Sequence, residues 1–360
     1  IHWFHCASLG EFEQARPIIE NIKKKNPTVF ILITFFSPSG FENTKNYSFA
    51  DYISYLPIDS KKNAQLFLNL TSVSKAYFIK YEFWFHYFNE LKNKNIPFYI
   101  VSATFRKNQV FFKSYGKWYR EILKMPNQIF VQDKASFEVL KQHKINSTIS
   151  GDTRYDRVFE NAKTTKNFPL IKEFINSQFT LIAGSSWHEE EKILAPFYTK
   201  NKGKFKLIIA PHDISKSHIQ FIHNLFDESI NIVNYSSLNN SKNLAEIEVL
   251  IIDNIGMLSS LYQYSDVAIV GGAFSGEIHN ILEPATFGNP VFYGKSHEKF
   301  PEAKLMVNKG SGYEFSSVNE LGSKFLPLFE NKDDLESAKQ KSLNFIKNRI
   351  GATSIIIQST

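Results

Sequence analysis

The sequence predicts an α/β protein with two parallel sheets, each covered by helices on both faces. Three observations favour this fold class. Short apolar runs rich in β-branched residues alternate with amphipathic segments, and the alternation starts again near residue 180. A chain of 360 residues is also longer than one compact core usually supports. We therefore expect two domains of similar construction.

The elements follow from these runs in chain order. In the first half we predict strands at residues 1–6, 29–34, 52–56, 76–79, 98–101, 129–131 and 148–150, and helices at 11–25, 61–70, 82–93 and 134–143. In the second half we predict strands at 180–183, 206–209, 231–233, 249–252, 267–270 and 291–293, and helices at 189–198, 216–226, 257–264 and 280–287. Each half is Rossmann-like.

The domain boundaries follow from the same pattern. We predict an N-terminal domain over residues 1–158, a second domain over 159–335, and a C-terminal helix over 336–360 that can pack back on the first. The polar stretch 156–167 is predicted to be the linker, and 236–243 a surface loop.

Composition restricts the function classes. Hydrophobic content of 43% and charged content of 21% are typical of a soluble globular enzyme. The excess of 42 Lys and Arg over 35 Asp and Glu gives a net charge of +7, which favours anionic partners. The single cysteine, Cys6, excludes an intrachain disulfide and fits a reducing compartment. No stretch approaches the roughly 18 apolar residues that span a bilayer.

Charged residues directly after predicted strands of the first half are candidate site residues, because open α/β sheets bind ligands beyond the carboxyl ends of their strands. Glu11 follows the first strand and could be a general base or a simple acidic helix start. Glu82 could point into the same cleft as Glu11 or be another acid at a helix start. Arg154 could neutralise a leaving phosphate or form an ion pair with Asp152 or Asp156.

The second half offers a comparable set after its strands. Ser185 and Ser186 could bind an anion at a helix start or form a plain turn. His212, after Pro211, could contact a phosphate. Gly271 and Gly272 allow a close approach of the chain to a ligand. The residues that precede Pro284 are His279, Asn280, Ile281, Leu282 and Glu283. The carboxylate of Glu283 could accept hydrogen bonds from both ribose hydroxyls of a nucleotide.

Residues 105–124 predict a basic, aromatic amphipathic helix. At 100° per residue, Phe111, Tyr115, Trp118 and Ile122 share one face. Such a helix could lie on an anionic membrane surface or pack its aromatic face into the core, and the pattern fits both.

Several other sites are not supported by the sequence. The histidines are scattered, without Cys/His spacing or an Asp-x-Asp motif, so we expect no metal and no cofactor. Neither half has a G-x-G-x-x-G after its first strand, which disfavours a dinucleotide oxidoreductase. RNA binding would need a larger basic and aromatic platform than one helix, so no nucleic-acid partner is expected.

Taken in order, these motifs resemble the 3-deoxy-D-manno-octulosonic acid (Kdo) transferases of lipopolysaccharide synthesis. The resemblance covers nearly the whole chain. Its most specific parts are Ser8–Glu11 with Ala15–Pro17, Glu82–Trp84, Gly151–Asp156, Gly271-Gly272, His279–Pro284 and Phe287–Pro290.

The resemblance implies a GT-B fold, with the acceptor on the first Rossmann-like domain and the donor nucleotide on the second. It implies inverting, metal-independent transfer of Kdo from CMP-Kdo to a lipid A precursor (lipid IVA) at the cytoplasmic face of the inner membrane. Glu11 then matches the general base, and Glu82 and Arg154 match the positions that stabilise the transition state. The positions that match CMP contacts are Ser185, Ser186, Pro211, His212, Ile255, Gly256, Met257, Gly271, Gly272, Asn280, Ile281, Leu282 and Glu283.

The chain also departs from the family pattern. Relatives often have Arg where His212 stands, Met-Gly-Glu where Ile255-Gly256-Met257 stands, and Lys where Arg154 stands. Members usually begin with a membrane anchor, and we expect one to be missing ahead of Ile1. Two alternatives stay open: another GT-B enzyme, such as a UDP-sugar transferase or 2-epimerase, and a membrane-surface nucleotide-sugar binding protein without turnover.

Overall fold

The computed structural model describes residues 1–238 and 243–360. The chain divides into two compact units, one formed by Ile1–Arg157 with Arg349–Thr360 and the other by Val158–Asn348. Residues 336–348 thus group with the second unit and 349–360 with the first. Part of the predicted loop 236–243, residues 239–242, lies outside the described residues.

The first unit contains a seven-stranded sheet in which every neighbouring pair is parallel. Its strands are β1 (His2–Cys6), β2 (Ile31–Phe35), β3 (Tyr52–Tyr55), β4 (Lys75–Ile79), β5 (Phe98–Ala103), β6 (Gln128–Val131) and β7 (Ser147–Ile149). Its helices are α1 (Leu9–Lys25), α2 (Pro38–Thr44), α3 (Lys61–Thr71), α4 (Phe85–Asn93), α5 (Lys117–Leu123), α6 (Lys134–Gln142), α7 (Thr153–Ala162) and, from the C-terminal segment, α16 (Ala352–Gln358). Helix α7 runs five residues into the second unit.

Alternating side chains of the central strands fill two cores, one on each face of this sheet. Trp3 and Phe78 lie in one core, and their neighbours Phe4 and Tyr77 stack in the other with ring centroids 4.6 Å apart. Successive strand residues point to opposite faces, so a strand that is apolar throughout must be covered on both. Ile356 of α16 joins the second of these cores.

The second unit contains another parallel sheet of seven strands. Its strands are β8 (Thr180–Ser186), β9 (Lys206–Pro211), β10 (Ile232–Asn234), β11 (Val249–Ile251), β12 (Val267–Val270), β13 (Val291–Gly294) and β14 (Gly312–Phe315). Its helices are α8 (Pro169–Ile175), α9 (His188–Lys200), α10 (Lys216–Leu225), α11 (Leu258–Leu261), α12 (Leu282–Thr286), α13 (Pro301–Lys309), α14 (Val318–Glu330) and α15 (Lys332–Lys347). Strand β14 was not predicted.

The strand orders identify the point in each sheet at which the order of the strands reverses. The orders are β3-β2-β1-β4-β5-β6-β7 and β10-β11-β9-β8-β12-β13-β14. The reversals fall between β1 and β4 in the first unit and between β8 and β12 in the second. Ligands of open α/β sheets bind at such switch points, beyond the carboxyl ends of the strands.

Three sequence predictions are wrong. The C-terminal helix predicted over 336–360 is two helices, because α15 ends at Lys347 and α16 begins at Ala352. The stretch 156–167 is not all linker, because α7 runs through Ala162. The single helix over 105–124 is a short 3₁₀ turn, Val110–Phe112, followed by the separate helix α5. The chain turns sharply at Gly116, where a β-carbon would lie only 1.9 Å from the Val110 carbonyl oxygen. The guanidinium of Arg120 donates to the carbonyl oxygens of Phe111 and Lys113, which closes this turn.

Every helix within the described ranges falls short of the length and apolarity needed to cross a bilayer.

Candidate active site

The switch point of the first unit carries two glutamates. Glu11 lies in the first turn of α1, directly after β1, and Glu82 lies in the loop between β4 and α4. Because β1 and β4 are hydrogen-bonded neighbours, their carboxyl ends bring these two acids to one edge of the sheet. We call Glu11, Glu82, His5, Thr34 and Trp84 the carboxylate cluster.

The surroundings of Glu11 in the folded protein stabilise its protonated, neutral form relative to a glutamate in water. Burial raises the pKa of Glu11 from 4.5 to about 7, and the negative charge of Glu82 acts in the same direction. The Ala7 N–H, which donates to Glu11 Oε2 at 2.5 Å, and the charge of Lys80 oppose the rise. A carboxyl group with a pKa near neutrality can accept a proton in the transition state and release it afterwards.

Glu82 is held by two ring N–H groups. Its Oε2 accepts a hydrogen bond from Trp84 Nε1 at 2.7 Å and lies 3.1 Å from His5 Nε2. The side chain of Glu82 is 16% exposed, whereas His5 is fully buried. Burial lowers the pKa of His5, although Glu82 and Thr34 pull it upward. His5 is therefore a neutral donor at pH 7.

Arg154 forms an ion pair with Asp152, one of the two interpretations that its position left open. Its Nε lies 2.9 Å and its Nη2 2.8 Å from Asp152 Oδ2. Burial disfavours the charged form of Asp152, yet Arg154 and the Gln14 amide hold the pKa of that carboxyl below its usual value. Asp156 instead accepts the backbone N–H groups of Gly351 and Thr353 at the start of α16.

At the switch point of the second unit, two chain segments are in close contact. A β-carbon on Gly271 would lie 2.2 Å from the Ser185 carbonyl oxygen, and one on Gly272 would lie 2.4 Å from the Glu277 carbonyl oxygen. The glycines are therefore required by the packing of the chain itself. Ser185 adopts a left-handed conformation with φ of 50°. The buried Ser186 hydroxyl donates to Glu191 Oε1 at 2.8 Å, so the side chain of Ser186 is engaged within the protein.

Three aromatic rings stack beside these glycines, and we call them the ring stack. Trp187 lies on His212 with ring centroids 4.4 Å apart, and His212 lies on His279 at 4.6 Å. The indole N–H of Trp187 donates to His279 Nε2 at 3.3 Å. Burial, followed by the charge of His212, lowers the pKa of His279. The stack gathers residues that follow β8, β9 and β12.

The predicted CMP-contact residues after β12 form one local turn. Asn280 Oδ1 accepts the Leu282 N–H, and its amide donates to Glu283 Oε1, both at 3.2 Å. Glu283 lies in the first turn of α12. The side chains of Ile281 and Leu282 are buried, so a ligand contact at these two positions would involve the backbone.

The remaining predicted contacts lie after β9 and β11. Pro211 ends β9 and is buried, and the His212 N–H donates to the Ser186 carbonyl oxygen at 3.0 Å. Ile255 is 86% exposed, Gly256 has φ of +90°, and Met257 is buried. The side chain of Met257 therefore belongs to the core.

Sequence reasoning missed Glu190, Glu191 and Trp187. The buried carboxylate of Glu190 accepts the Gly272 N–H at 2.9 Å and the Trp187 N–H at 3.1 Å, so it connects the ends of β8 and β12. Burial raises the pKa of Glu190. The available signal was the acidic run 189–191 directly after the two serines. Across the described residues, His, Cys, Asp and Glu form no group of three or more that could hold a metal ion.

Comparisons with known proteins show which families the chain is similar to. Residues 1–157 match the family model described as 3-Deoxy-D-manno-octulosonic-acid transferase (kdotransferase). The chain is 28% identical over 340 residues to a 3-deoxy-D-manno-octulosonic acid transferase of Aquifex aeolicus, covering 93% of this chain and 87% of that protein. It is 26% identical over 376 residues to a bifunctional glycosyltransferase/methyltransferase of Fusobacterium nucleatum, covering 98% of this chain. The chain spans only 56% of that second relative.

Among solved structures, UDP-GlcNAc 2-epimerase from Neisseria meningitidis is similar in fold, with a TM-score of 0.68 and 17% identity. The alignment covers 99% of this chain and 98% of that one. This likeness and the two parallel sheets define the class as an α/β protein with the GT-B fold, as predicted. By sequence, the chain is similar to the Kdo transferases, over residues 1–157 for the family model and over most of its length for the relatives, which confirms the predicted resemblance.

Proposed function

We propose that this protein transfers Kdo from CMP-Kdo to a lipid A precursor (lipid IVA), with inversion and without a metal ion. The observation that carries the proposal is Glu11, a carboxyl group with a pKa near 7 at the switch point of a sheet whose sequence matches a Kdo transferase family model. Metal independence and inversion rest on the resemblance alone.

In the proposed reaction an acceptor hydroxyl attacks the anomeric carbon of Kdo from the face opposite to CMP. The new C–O bond forms as the bond between that carbon and the phosphate oxygen breaks. The hydroxyl proton passes to Glu11, and the electron pair of the broken bond leaves on CMP. General-base help of this kind typically contributes about 10²–10⁴-fold.

Other groups have supporting roles in the proposal. Glu82 stabilises positive charge that develops on the sugar ring, and Arg154 stabilises the departing phosphate. The Arg154 side chain is 34% exposed beside Asp152, and in the proposal it faces the ligand while that pair is intact. On the second unit, His212, Gly272, Asn280 and Glu283 are the proposed CMP contacts.

The proposed location is the cytoplasmic side of the inner membrane. The support is an exposed aromatic group in and before α5, where Tyr115 is 74% and Trp118 54% exposed among Lys113, Lys117 and Lys124. Exposed aromatic and cationic side chains together favour binding to an anionic membrane surface.

The test is to incubate the protein with freshly made CMP-Kdo and a tetraacylated lipid A precursor, and to record the mass of the lipid. An increase by one or more Kdo units, unaffected by EDTA, is expected. An unchanged lipid mass, together with calorimetric binding of UDP in place of CMP, would instead favour another GT-B nucleotide-sugar enzyme.

A further inference from the structure

A continuous line of hydrogen bonds runs from the core of the first unit to Glu82. Trp3 Nε1 donates to Thr34 Oγ1 at 2.8 Å, and the same oxygen lies 2.9 Å from His5 Nδ1. His5 Nε2 then lies 3.1 Å from Glu82 Oε2. Trp3, Thr34 and His5 are all fully buried.

When Glu82 is ionised and His5 is neutral, one arrangement of protons satisfies every member. An indole N–H can only donate, so Thr34 Oγ1 accepts from Trp3. An ionised carboxylate can only accept, so the neutral His5 carries its proton on Nε2 and donates to Glu82. His5 Nδ1 is then an acceptor, and the Thr34 O–H donates to it. Every group along the line has a partner of the opposite kind.

We propose that His5, fixed by Thr34 and Trp3, is a positioning residue that holds the Glu82 carboxyl group in one orientation at the reacting centre. This inference rests on the proposed function, because the reacting centre is that of the proposed transfer. His5 itself is fully buried, so it would act on the reaction through Glu82. Together with Trp84, it gives one carboxylate oxygen of Glu82 two N–H donors, which fix the direction of that side chain.

The orientation of Glu82 also affects Glu11, because the charge of Glu82 contributes to the raised pKa of Glu11. The titratable and charged groups that act on Glu11 or share its surroundings are Glu82, Lys80 and Cys6. Loss of the Thr34 hydroxyl would leave His5 Nδ1 without its donor and release the imidazole from one tautomer. Glu82 would then lose its fixed donor, and its effect on Glu11 would weaken.

The first test is independent of any activity. In protein labelled with ¹⁵N-histidine, long-range ¹H–¹⁵N spectra distinguish the two neutral imidazole tautomers and the imidazolium. The chain has 10 histidines, so the His5 signals are assigned by their loss in His5→Gln. At pH 7 we expect the neutral Nε2–H form in the wild type and in Thr34→Ser. A neutral Nδ1–H form or an imidazolium in the wild type would overturn the proposal.

The second test is kinetic. Thr34→Val removes the hydroxyl at almost constant volume, and Thr34→Ser restores it. We expect Thr34→Val to lower kcat at least about tenfold with little change in the KM for CMP-Kdo, and to move the acid limb of the pH profile to lower pH. Thr34→Ser should behave as the wild type.

Wild-type kcat and pH profile in Thr34→Val, or equal impairment of Thr34→Ser, would contradict the role of His5. Melting temperatures identify a variant that has merely lost stability, and for such a variant the tautomer measurement decides. If the wild type transfers no Kdo at all, the proposed function fails, while the spectra still decide the positioning claim.

Discussion

The pKa of the Glu11 carboxyl group is determined by opposing effects, and this pKa decides whether Glu11 can act as a base near neutral pH. Burial and the charge of Glu82 raise its pKa, whereas the Ala7 N–H and Lys80 lower it. Burial dominates, and the pKa settles near 7. A base with this pKa is about half charged at neutral pH, so a reaction that depends on it slows as the pH falls through 7.

The same pKa predicts how stability depends on pH. The folded protein binds the Glu11 proton more tightly than the unfolded chain, whose pKa is 4.5, so the stability that Glu11 contributes falls as pH rises from about 4.5 to about 7. Glutamine does not titrate. We therefore expect Glu11→Gln to gain roughly 1–2 kcal/mol in unfolding free energy relative to the wild type across that window, discounted for partial exposure.

Denaturant unfolding at several pH values checks this expectation. Glu13→Gln is a matched control on the same helix, because Glu13 is 39% exposed and pairs with Arg16. A difference between Glu11→Gln and the wild type that stays constant from pH 4.5 to 8 would show that Glu11 has an ordinary pKa.

Glu82 should influence the pH at which the enzyme works. Its negative charge raises the pKa of Glu11, so Glu82→Gln should move the midpoint of the acid limb of kcat/KM to lower pH by about half a unit, with a lower kcat. Glu90→Gln is the control, since Glu90 lies on the following helix and is 3.9 Å from Lys94. A midpoint that stays in place or rises would contradict the coupling between the two acids.

At the scale of elements, apolar runs predicted most strands because a strand buried on both faces has few alternatives. The exceptions have physical causes. The amphipathic pattern of 105–124 does not show that Gly116 must approach the Val110 carbonyl, and this contact divides the segment. Strand β14 is short and only partly buried, so its sequence carries little apolar signal.

The start of α9 gives a prediction about donor binding. Glu190 satisfies the N–H groups of both Trp187 and Gly272, and a glutamine there could accept only one of them. A buried unsatisfied N–H costs about 1–3 kcal/mol, so Glu190→Gln should weaken CMP binding roughly tenfold. Calorimetry measures this, with Glu189→Gln as the control, because Glu189 is 62% exposed beside Lys192. Equal CMP affinities in the two variants would show that Glu190 does not support donor binding.

At the scale of the whole molecule, both units place candidate residues at the reversal of strand order. These positions could be predicted from the sequence as the residues that follow strands, because the topology of an open sheet determines where it can bind a ligand. The partners of those residues could not be predicted. His5 and Glu82 lie 77 positions apart, and Gly272 and Glu190 lie 82 apart, so no local pattern marks either contact.

The proposed binding to an anionic membrane surface would be favoured by the net charge of +7 that the chain carries. Tyr115→Ser with Trp118→Ser should reduce cosedimentation with anionic phospholipid vesicles about tenfold, because both side chains are exposed and apolar. Leu305→Ser is the control, since Leu305 is a 41% exposed apolar residue of the second unit. Equal cosedimentation of the double variant and the Leu305→Ser control would show that Tyr115 and Trp118 are not part of the membrane-binding surface.

The central claim is that Glu11 accepts the proton of the attacking hydroxyl. The most direct measurement is the single-turnover rate of Kdo transfer, followed by mass spectrometry of the lipid product, in the wild type, Glu11→Gln and Glu13→Gln. We predict that Glu11→Gln loses about 10²–10⁴-fold in rate and keeps its CMP affinity, while Glu13→Gln transfers Kdo as the wild type does. Transfer by Glu11→Gln at the wild-type rate would contradict the account.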